Sequence, residues 1–430
     1  MNHSIITLSN HREYREMKES IYTLEVSYNN HWLLYNLLKQ TCIILNQEEF
    51  RKYKQGLKFE GSDKLSDLGF LIENDYDELD EALYYYQRNI DLRNQNFRKH
   101  RVYTTLACNA RCPYCFEKGS SRESMSVETA HKVAKYILNT QGNAKRLVVT
   151  WFGGEPLLNS RIIDCISSDI LSELNDNVEY SSYMITNGIL FDSALVEKAV
   201  CDWKLEGLQI TLDGLKDTYE TIKGFSSCNA FERIIENIHL LLLSGINVTI
   251  RLNYDRNNLS EILNLIDYLG NEFATFKNLF IYAYRIMSDD CEDNSKRASA
   301  DTDIIIWDKL YENGFCEDIL GSIGSNLVPC TAGSLYNLMF LPNGNLGKCA
   351  QAIAKGDIIG NIETGVRNAK VARWCCGVIS DNCKKCNLFP ACGGGCRYEE
   401  FCGKNGCSVS EPLLKHKLHR YLKQVVEHDE

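Results

Sequence analysis

Three cysteines share one short segment, Ala107-Cys108-Asn109-Ala110-Arg111-Cys112-Pro113-Tyr114-Cys115-Phe116. Three thiolates on one loop can bind three irons of a [4Fe–4S] cluster and leave the fourth iron open to chemistry. The bland alternatives are a zinc loop short of one ligand, or core thiols that happen to be neighbours. A second concentration starts at Cys330, runs through Gly344-x4-Cys349 and Cys383-x2-Cys386-x5-Cys392-x3-Cys396, and ends at Cys402 or Cys407. Zinc ribbons would use four of these and leave the others unexplained. The chain has 19 cysteines. An odd number cannot pair fully, and a reducing compartment sustains no disulfide framework, so metal binding is the default explanation. Cys42, Cys165, Cys201, Cys228 and Cys291 are scattered and read as small buried or half-buried hydrophobes.

The elements that must position these groups follow from the period of the apolar residues. Strand-like runs at Val102–Ala107, Leu147–Phe152, Tyr180–Thr186, Leu208–Leu212, Val248–Asn253 and Leu279–Tyr284 alternate with helical patterns. Such alternation argues for six parallel βα units, and six make a partial barrel rather than a closed eightfold one. Ser126 is expected to cap the first helix, and Asn229 with Glu232 to form a capping box on the fourth. The cysteine trio then sits at the C-terminal mouth, where barrels carry their active sites. Other strands end there in polar residues: Gly153-Gly154-Glu155-Pro156, Thr186-Asn187-Gly188, Thr211-Leu212-Asp213-Gly214 and Arg251-Leu252-Asn253. Before the barrel, Tyr22–Val26 and Leu57–Phe59 read as strands of a small α+β module, and Tyr84–Arg101 as a linker or solvated helix. After Ser322 come short Gly- and Cys-rich pieces and a helix from Pro412 to about Val426. The expected class is α/β, a partial (β/α)6 TIM-like barrel over 101–313, between an N-terminal module (1–95) and a cysteine-rich domain (323–430).

Composition narrows the partners. The 47 basic and 57 acidic residues give a net charge of -10, which disfavours nucleic acid. Apolar runs such as Ile304–Trp307 fall far short of the roughly 20 residues that span a membrane. The start, Asn2-His3-Ser4, lacks a basic signal-peptide region, so a cytoplasmic address is expected.

The C-x3-C-x2-C loop with Tyr114 before its last cysteine resembles the signature of radical S-adenosylmethionine (SAM) enzymes. In that family SAM chelates the open iron, and the reduced cluster splits it into methionine and a 5′-deoxyadenosyl radical. The resemblance implies that Tyr114 packs on the adenine and that Gly153, Gly154, Glu155 and Pro156 form the GGEP element around the methionyl ammonium. It further implies that Thr186, Asn187, Thr211, Asp213, Arg251 and Asn253 line the cofactor. Lys223 falls where relatives often carry Arg, which keeps the charge and loses the fork.

The later cysteines resemble the SPASM domain, which binds two auxiliary [4Fe–4S] clusters, for three clusters in all. By that resemblance Cys383, Cys386, Cys392 and Cys407 hold one, Cys407 being preferred to Cys402 because the closing helix begins soon after it. Cys330, Cys349 and Cys396 belong to the other. No cysteine lies between Cys330 and Cys349, so either Cys316, Cys375 or Cys376 is recruited or one iron is open. The expectation here is an open iron that could bind a substrate thiolate.

SPASM enzymes act on peptides or proteins. The N-terminal module resembles the winged-helix leader-recognition domain of enzymes that modify ribosomally made peptides, which would take a leader as an added strand. Anaerobic sulfatase-maturing enzymes, the runner-up, carry an Asp base after the Gly-x4-Cys cysteine. Here that position is Ala350, which cannot accept a proton. The implied function is a peptide maturase of the sactipeptide or ranthipeptide thioether-forming type. It would abstract hydrogen from a precursor peptide and form a thioether or carbon–carbon cross-link, with flavodoxin or ferredoxin as reductant. An electron-transfer iron–sulfur protein would have no use for the GGEP element. No side chain stands out as catalytic acid or base; ligand positioning explains Glu155 and Asp213.

Overall fold

The computed structural model describes residues 17–429 apart from 120, 226–228, 256, 287–299, 325–326, 328–329, 377–378, 404–406 and 408. Cys228 and Cys291 lie outside the described residues. The chain opens with β1 (Met17–Glu19), β2 (Thr23–Tyr28), β3 (His31–Asn36) and β4 (Thr41–Asn46), then α1 (Gln47–Lys54), α2 (Lys64–Asp67), β5 (Leu71–Glu73) and α3 (Glu78–Asn96). β2, β3 and β4 form an antiparallel sheet. Asn29 and Asn30 join β2 to β3 with φ of 44° and 63°, the paired left-handed turn that matches strand twist. Leu57–Phe59 is not a strand; it is the irregular exit from α1, and β5 instead pairs with β1.

Six parallel strands follow in sequence order: β6 (Phe97–Thr105), β7 (Arg146–Gly153), β8 (Glu179–Thr186), β9 (Leu205–Leu212), β10 (Asn247–Tyr254) and β11 (Leu279–Arg285). Their helices are α4 (Val127–Thr140), α5 (Ser160–Glu173), α6 (Ser193–Cys201), α7 (Lys216–Lys223), α8 (Ala230–Leu243), α9 (Leu259–Phe273) and α10 (Ala300–Glu312). One core joins strands to helices through residues such as Trp151, Met184, Ile210, Ile250 and Ile234. Alternate strand residues on the opposite face, among them Tyr183, Gln209, Thr211 and Arg251, stay half-buried, and Tyr282 and Tyr284 are exposed. This is the expected partial barrel, with a polar and aromatic lumen.

The Ser126 cap is present, its side chain accepting the Thr129 N–H. The Asn229 capping box is not: Asn229 is left-handed with no side-chain cap bond, and Glu232 pairs with Lys216 at 2.6 Å. β6 begins within the stretch read as a linker, because its charged residues are buried with partners. The Arg98 guanidinium donates to the Asn94 carbonyl at 2.6 Å and lies 4.1 Å from the Tyr336 ring centre.

His100, fully buried, accepts the Leu338 N–H at 3.4 Å. Burial, with the charges of Arg98 and Lys348 added, depresses its pKa from 6.5 to about 3. The unfolded chain therefore takes up a proton below 6.5 that the folded chain refuses until about 3, so stability falls with pH across that window. From pH 6.5 to 5 the loss is about 2 kcal/mol, read as a drop in urea midpoint that His100→Phe lacks. Equal drops in both proteins would refute it.

β12 (Met339–Phe340) adds parallel to the outer edge of β6, and β13 (Asn345–Gly347), β14 (Gly360–Asn361) and β15 (Gly365–Val366) continue antiparallel, making one ten-stranded sheet. Short helices follow: α11 (Ala350–Ala354), α12 (Asn368–Cys375), α13 (Asp381–Lys384), α14 (Phe389–Cys392) and α15 (Arg397–Phe401). The closing helix α16 (Glu411–Asp429) returns to the N-terminal module. Leu414, Leu418, Leu422 and Val426 share a core with Tyr22, Leu24 and Leu33, and Tyr28 donates to Glu427 at 2.7 Å.

Candidate active site

The loop after β6 carries Cys108, Cys112 and Cys115 and is tied to four other strand ends. Glu155, at the end of β7, has no exposed surface. Its carboxylate accepts the Leu157 N–H at 3.1 Å, the Thr186 hydroxyl at 2.8 Å and the Asn187 N–H at 2.8 Å, locking the ends of β7 and β8 together. Burial still pushes its pKa up to about 7. Gly153, with φ of 126°, is required by close packing: a Cβ there would lie 2.0 Å from the Thr105 carbonyl oxygen, and one on Gly154 2.3 Å from that of Ala107. The two glycines thus bring β7 against the root of the cysteine loop, and Glu155 N–H donates to the Ala107 carbonyl at 2.9 Å.

On the far side, Tyr114 donates its hydroxyl to Asp213 at 2.6 Å. Asp213, 1% exposed, pairs with Lys223, 3% exposed, at 3.0 Å. Burial works against the Lys223 charge, and Asp213 with Cys112 more than offsets it, so its pKa ends above the ordinary lysine value. Asn253 donates to Asp213 at 3.3 Å and in turn accepts from Arg251 at 2.9 Å. Arg111 N–H donates to the Lys223 carbonyl at 2.6 Å, and Asn187 donates to Asn109 at 2.7 Å. Asn109 and Arg111 were not singled out from the sequence, although both lie inside the cysteine motif. Thr211 is half-buried on the lumen face of β9, and Pro156 is buried at the head of the turn after Glu155.

The thiols suit a cluster better than a single ion. Burial pushes Cys108 up to about 11, with Glu155, Cys112 and Cys115 adding to the rise, and burial also raises Cys115. Such thiols become thiolates when a metal takes the proton's place. Among the described residues, the one trio of ligand atoms close enough for a single ion is His131, Cys165 and Asp169, on the outer helices. Ligands to separate irons of one cluster stand farther apart, and the donor set of three sulfurs on an anchored loop fits that group.

The C-terminal cysteines converge in part. Cys330, Cys349 and Cys396 each precede a helical turn, and Cys349 and Cys396 receive backbone N–H groups from residues two or three further on. Cys330 lies close enough to act on the charge of both. Cys383, Cys386 and Cys392 are half-buried around α13 and α14, while Cys402 and Cys407 are exposed. Of the scattered cysteines, Cys42 and Cys165 are half-buried as expected, whereas Cys201 is exposed at the end of its helix.

Residues 102–269 match the family model of the radical SAM superfamily. This segment is a radical SAM domain. Radical SAM proteins bind SAM and a [4Fe–4S] cluster, and the matched segment includes the loop with Cys108, Cys112 and Cys115. The chain is 23% identical over 222 residues to Fe-coproporphyrin III synthase of Methanosarcina barkeri, covering 50% of this chain and 53% of that protein. It is 31% identical over 159 residues to GTP 3',8-cyclase of Clostridium acetobutylicum, covering 36% and 46%. The matched segments thus span about half the length of these curated relatives. The fold is similar to solved structures of anSMEcpe, one with bound AdoMet (16% identity, TM-score 0.57) and one with AdoMet and the Kp18Cys peptide (15%, 0.56). Each covers 77% of this chain and 99% of that one. Among the described residues, no helix is long and apolar enough to cross a membrane.

Proposed function

We propose that the chain is a radical SAM peptide maturase, which abstracts hydrogen from a precursor peptide and closes a thioether or carbon–carbon cross-link. The observation that supports this reading is that Cys349 and Cys396 of the C-terminal set approach the lumen whose mouth carries the first cysteine loop. The Cys108–Cys115 loop closes the strand ends. Cys349 lies near enough to Tyr103 on β6, and Cys396 to Tyr284 on β11, to act on their ionisation. A substrate in the lumen therefore lies between two sulfur-rich centres, an arrangement suited to a reaction that removes a hydrogen atom and then an electron. The similarity in fold to anSMEcpe, solved with a peptide bound, supports a peptide as that substrate.

When bound, SAM and its cluster supply the carbon radical that takes the hydrogen atom. Cys108, Cys112 and Cys115 would hold the cluster, and the backbone of Gly153–Pro156 with Thr186, Asn187, Thr211 and Asn253 would surround SAM. Tyr114 is held by Asp213 and keeps the loop at the mouth; Arg251, 3.8 Å from the Tyr284 ring centre, lies on the lumen wall. Thioether formation also requires the peptide to lose a thiol proton to solvent and one electron, for which clusters held by the C-terminal cysteines would be the acceptor. The N-terminal sheet, with β2 and β4 at its edges, would take the leader as an added strand.

The runner-up, sulfatase maturation, is disfavoured at Ala350, which is buried in an apolar cluster with Tyr103, Phe152 and Met339. Iron and acid-labile sulfide, measured with zinc on protein purified without oxygen, test the cofactor reading. About twelve irons per chain, with SAM cleaved on reduction, are expected. About four irons, or zinc in their place, would overturn the assignment of auxiliary clusters. SAM cleavage with no mass change of about 2 Da in precursor peptides from neighbouring short reading frames would overturn the maturase reading, since each cross-link removes two hydrogens.

A further inference from the structure

Cys375, at the end of α12, faces the same small pocket as Cys330. The remaining wall includes Gly393, Gly395 and Arg397, which flank Cys396 in the chain, together with Tyr86 of α3. Two cations, Lys348 and Arg93, act on Cys375 from outside that wall. Lys348 is 2% exposed and donates to the carbonyls of Ser334 and, at 2.8 Å, Asn337; the Cys375 thiol shares the Ser334 carbonyl at 3.4 Å. The ionisable groups acting on Lys348, among the described residues, are Cys375, Cys330 and Arg93, with no carboxylate among them. Arg93, from α3, lies within electrostatic reach of Cys330 and Cys375. A [4Fe–4S] cluster takes four thiolates, and three of the four are assigned here to Cys330, Cys349 and Cys396.

We infer that Cys375 is the fourth protein ligand of the Cys330/Cys349/Cys396 cluster, which is therefore closed to substrate. This rests on the reading that the C-terminal cysteines bind auxiliary clusters. It departs from the open iron that the cysteine spacing alone suggests, and it narrows the three cysteines left in contention. Cys316 packs against the core formed with α16, where Lys417 is the charge acting on it. Cys376 caps the end of α12 and does not line the pocket that Cys330 and Cys375 share. Cys375 shares both the pocket and the cations with Cys330.

The test compares wild type with Cys375→Ala, Cys375→Ser, Cys316→Ala and Cys376→Ala, each reconstituted without oxygen. Readouts are iron per chain and the EPR spectrum of the reduced protein, with far-UV circular dichroism as the check on folding. Wild type should hold about twelve irons. Cys375→Ala should fall to about eight, or keep twelve with one altered cluster signal that changes again when 2-mercaptoethanol is added. Cys375→Ser, which keeps the side-chain size, should fold as wild type and still alter that one signal. Loss or change in Cys316→Ala or Cys376→Ala instead, or a Cys375→Ser spectrum identical to wild type and insensitive to added thiol, overturns the inference while the auxiliary clusters stand. A wild type with about four irons overturns both readings together.

Discussion

Replacing Asp213 by Ala should destabilise the protein by about 3–5 kcal/mol, because it strands the Lys223 charge in a site with no water to solvate it. The pair is sealed on both sides, at 1% and 3% exposure, and lies directly beneath the cysteine loop. Tyr114 would lose its acceptor at the same time, so the loop between Cys112 and Cys115 should loosen and its cluster be lost faster to a chelator. Removing both charges separates the two effects. Asp213→Ala with Lys223→Met should recover most of the urea stability, since a buried pair replaced by apolar groups is often neutral, yet keep the faster cluster loss. If the double variant is as unstable as the single one, the stranded charge is not the cause. The same outcome would assign Asp213 a role through Tyr114 and Asn253 alone.

Glu155→Gln is expected to cost about 1–3 kcal/mol and to weaken SAM binding at least tenfold, which is about 1.4 kcal/mol. The carboxylate accepts from two backbone N–H groups and a hydroxyl, and an amide can present only one oxygen. Its NH2 must then face the N–H of either Leu157 or Asn187, so the clamp between β7 and β8 opens on one side. Equilibrium dialysis with labelled SAM and urea unfolding read the two effects separately. Stability lost with SAM affinity intact would show that Glu155 serves the fold alone. Thr186→Val, which removes one donor and leaves both backbone bonds, should cost less on both scales.

The six barrel strands could be read from sequence because strands buried in a parallel sheet are near-continuous apolar runs, and Leu147–Phe152 or Leu208–Leu212 need no partner to be recognised. β6 is the exception at its start: Arg98 and His100 look solvated in one dimension, and only the carbonyls of Asn94 and Thr140 and the ring of Tyr336 around Arg98, with the Leu338 N–H on His100, explain their burial. The two-residue strands β12, β14 and β15 carry too little sequence to show a period at all. The polar strand ends were legible as a set, whereas their internal bonding was not. Glu155 reads as a ligand residue in the motif and bonds to β8 in the fold; Lys223 reads as a weakened Arg and is the buried partner of Asp213. Cys375 was legible only as one of three candidates, since the carbonyl it shares with Lys348 joins residues 334, 348 and 375, which no spacing rule connects.

The cover that α16 provides over β2 and β3 has a consequence for the making of this protein. The apolar residues Tyr22, Leu24 and Leu33 leave the ribosome before the barrel, and the helix that shields them is synthesised only after it. At roughly 5–20 residues per second the interval between β4 and α16 is on the order of 20–70 s. Throughout that time the nascent sheet has only part of its cover, from residues such as Ala82 and Tyr86 of α3, so it is a part of the newborn chain with much to gain from a chaperone. It is also where slow translation of the stretch between β4 and α16 should do most to promote aggregation.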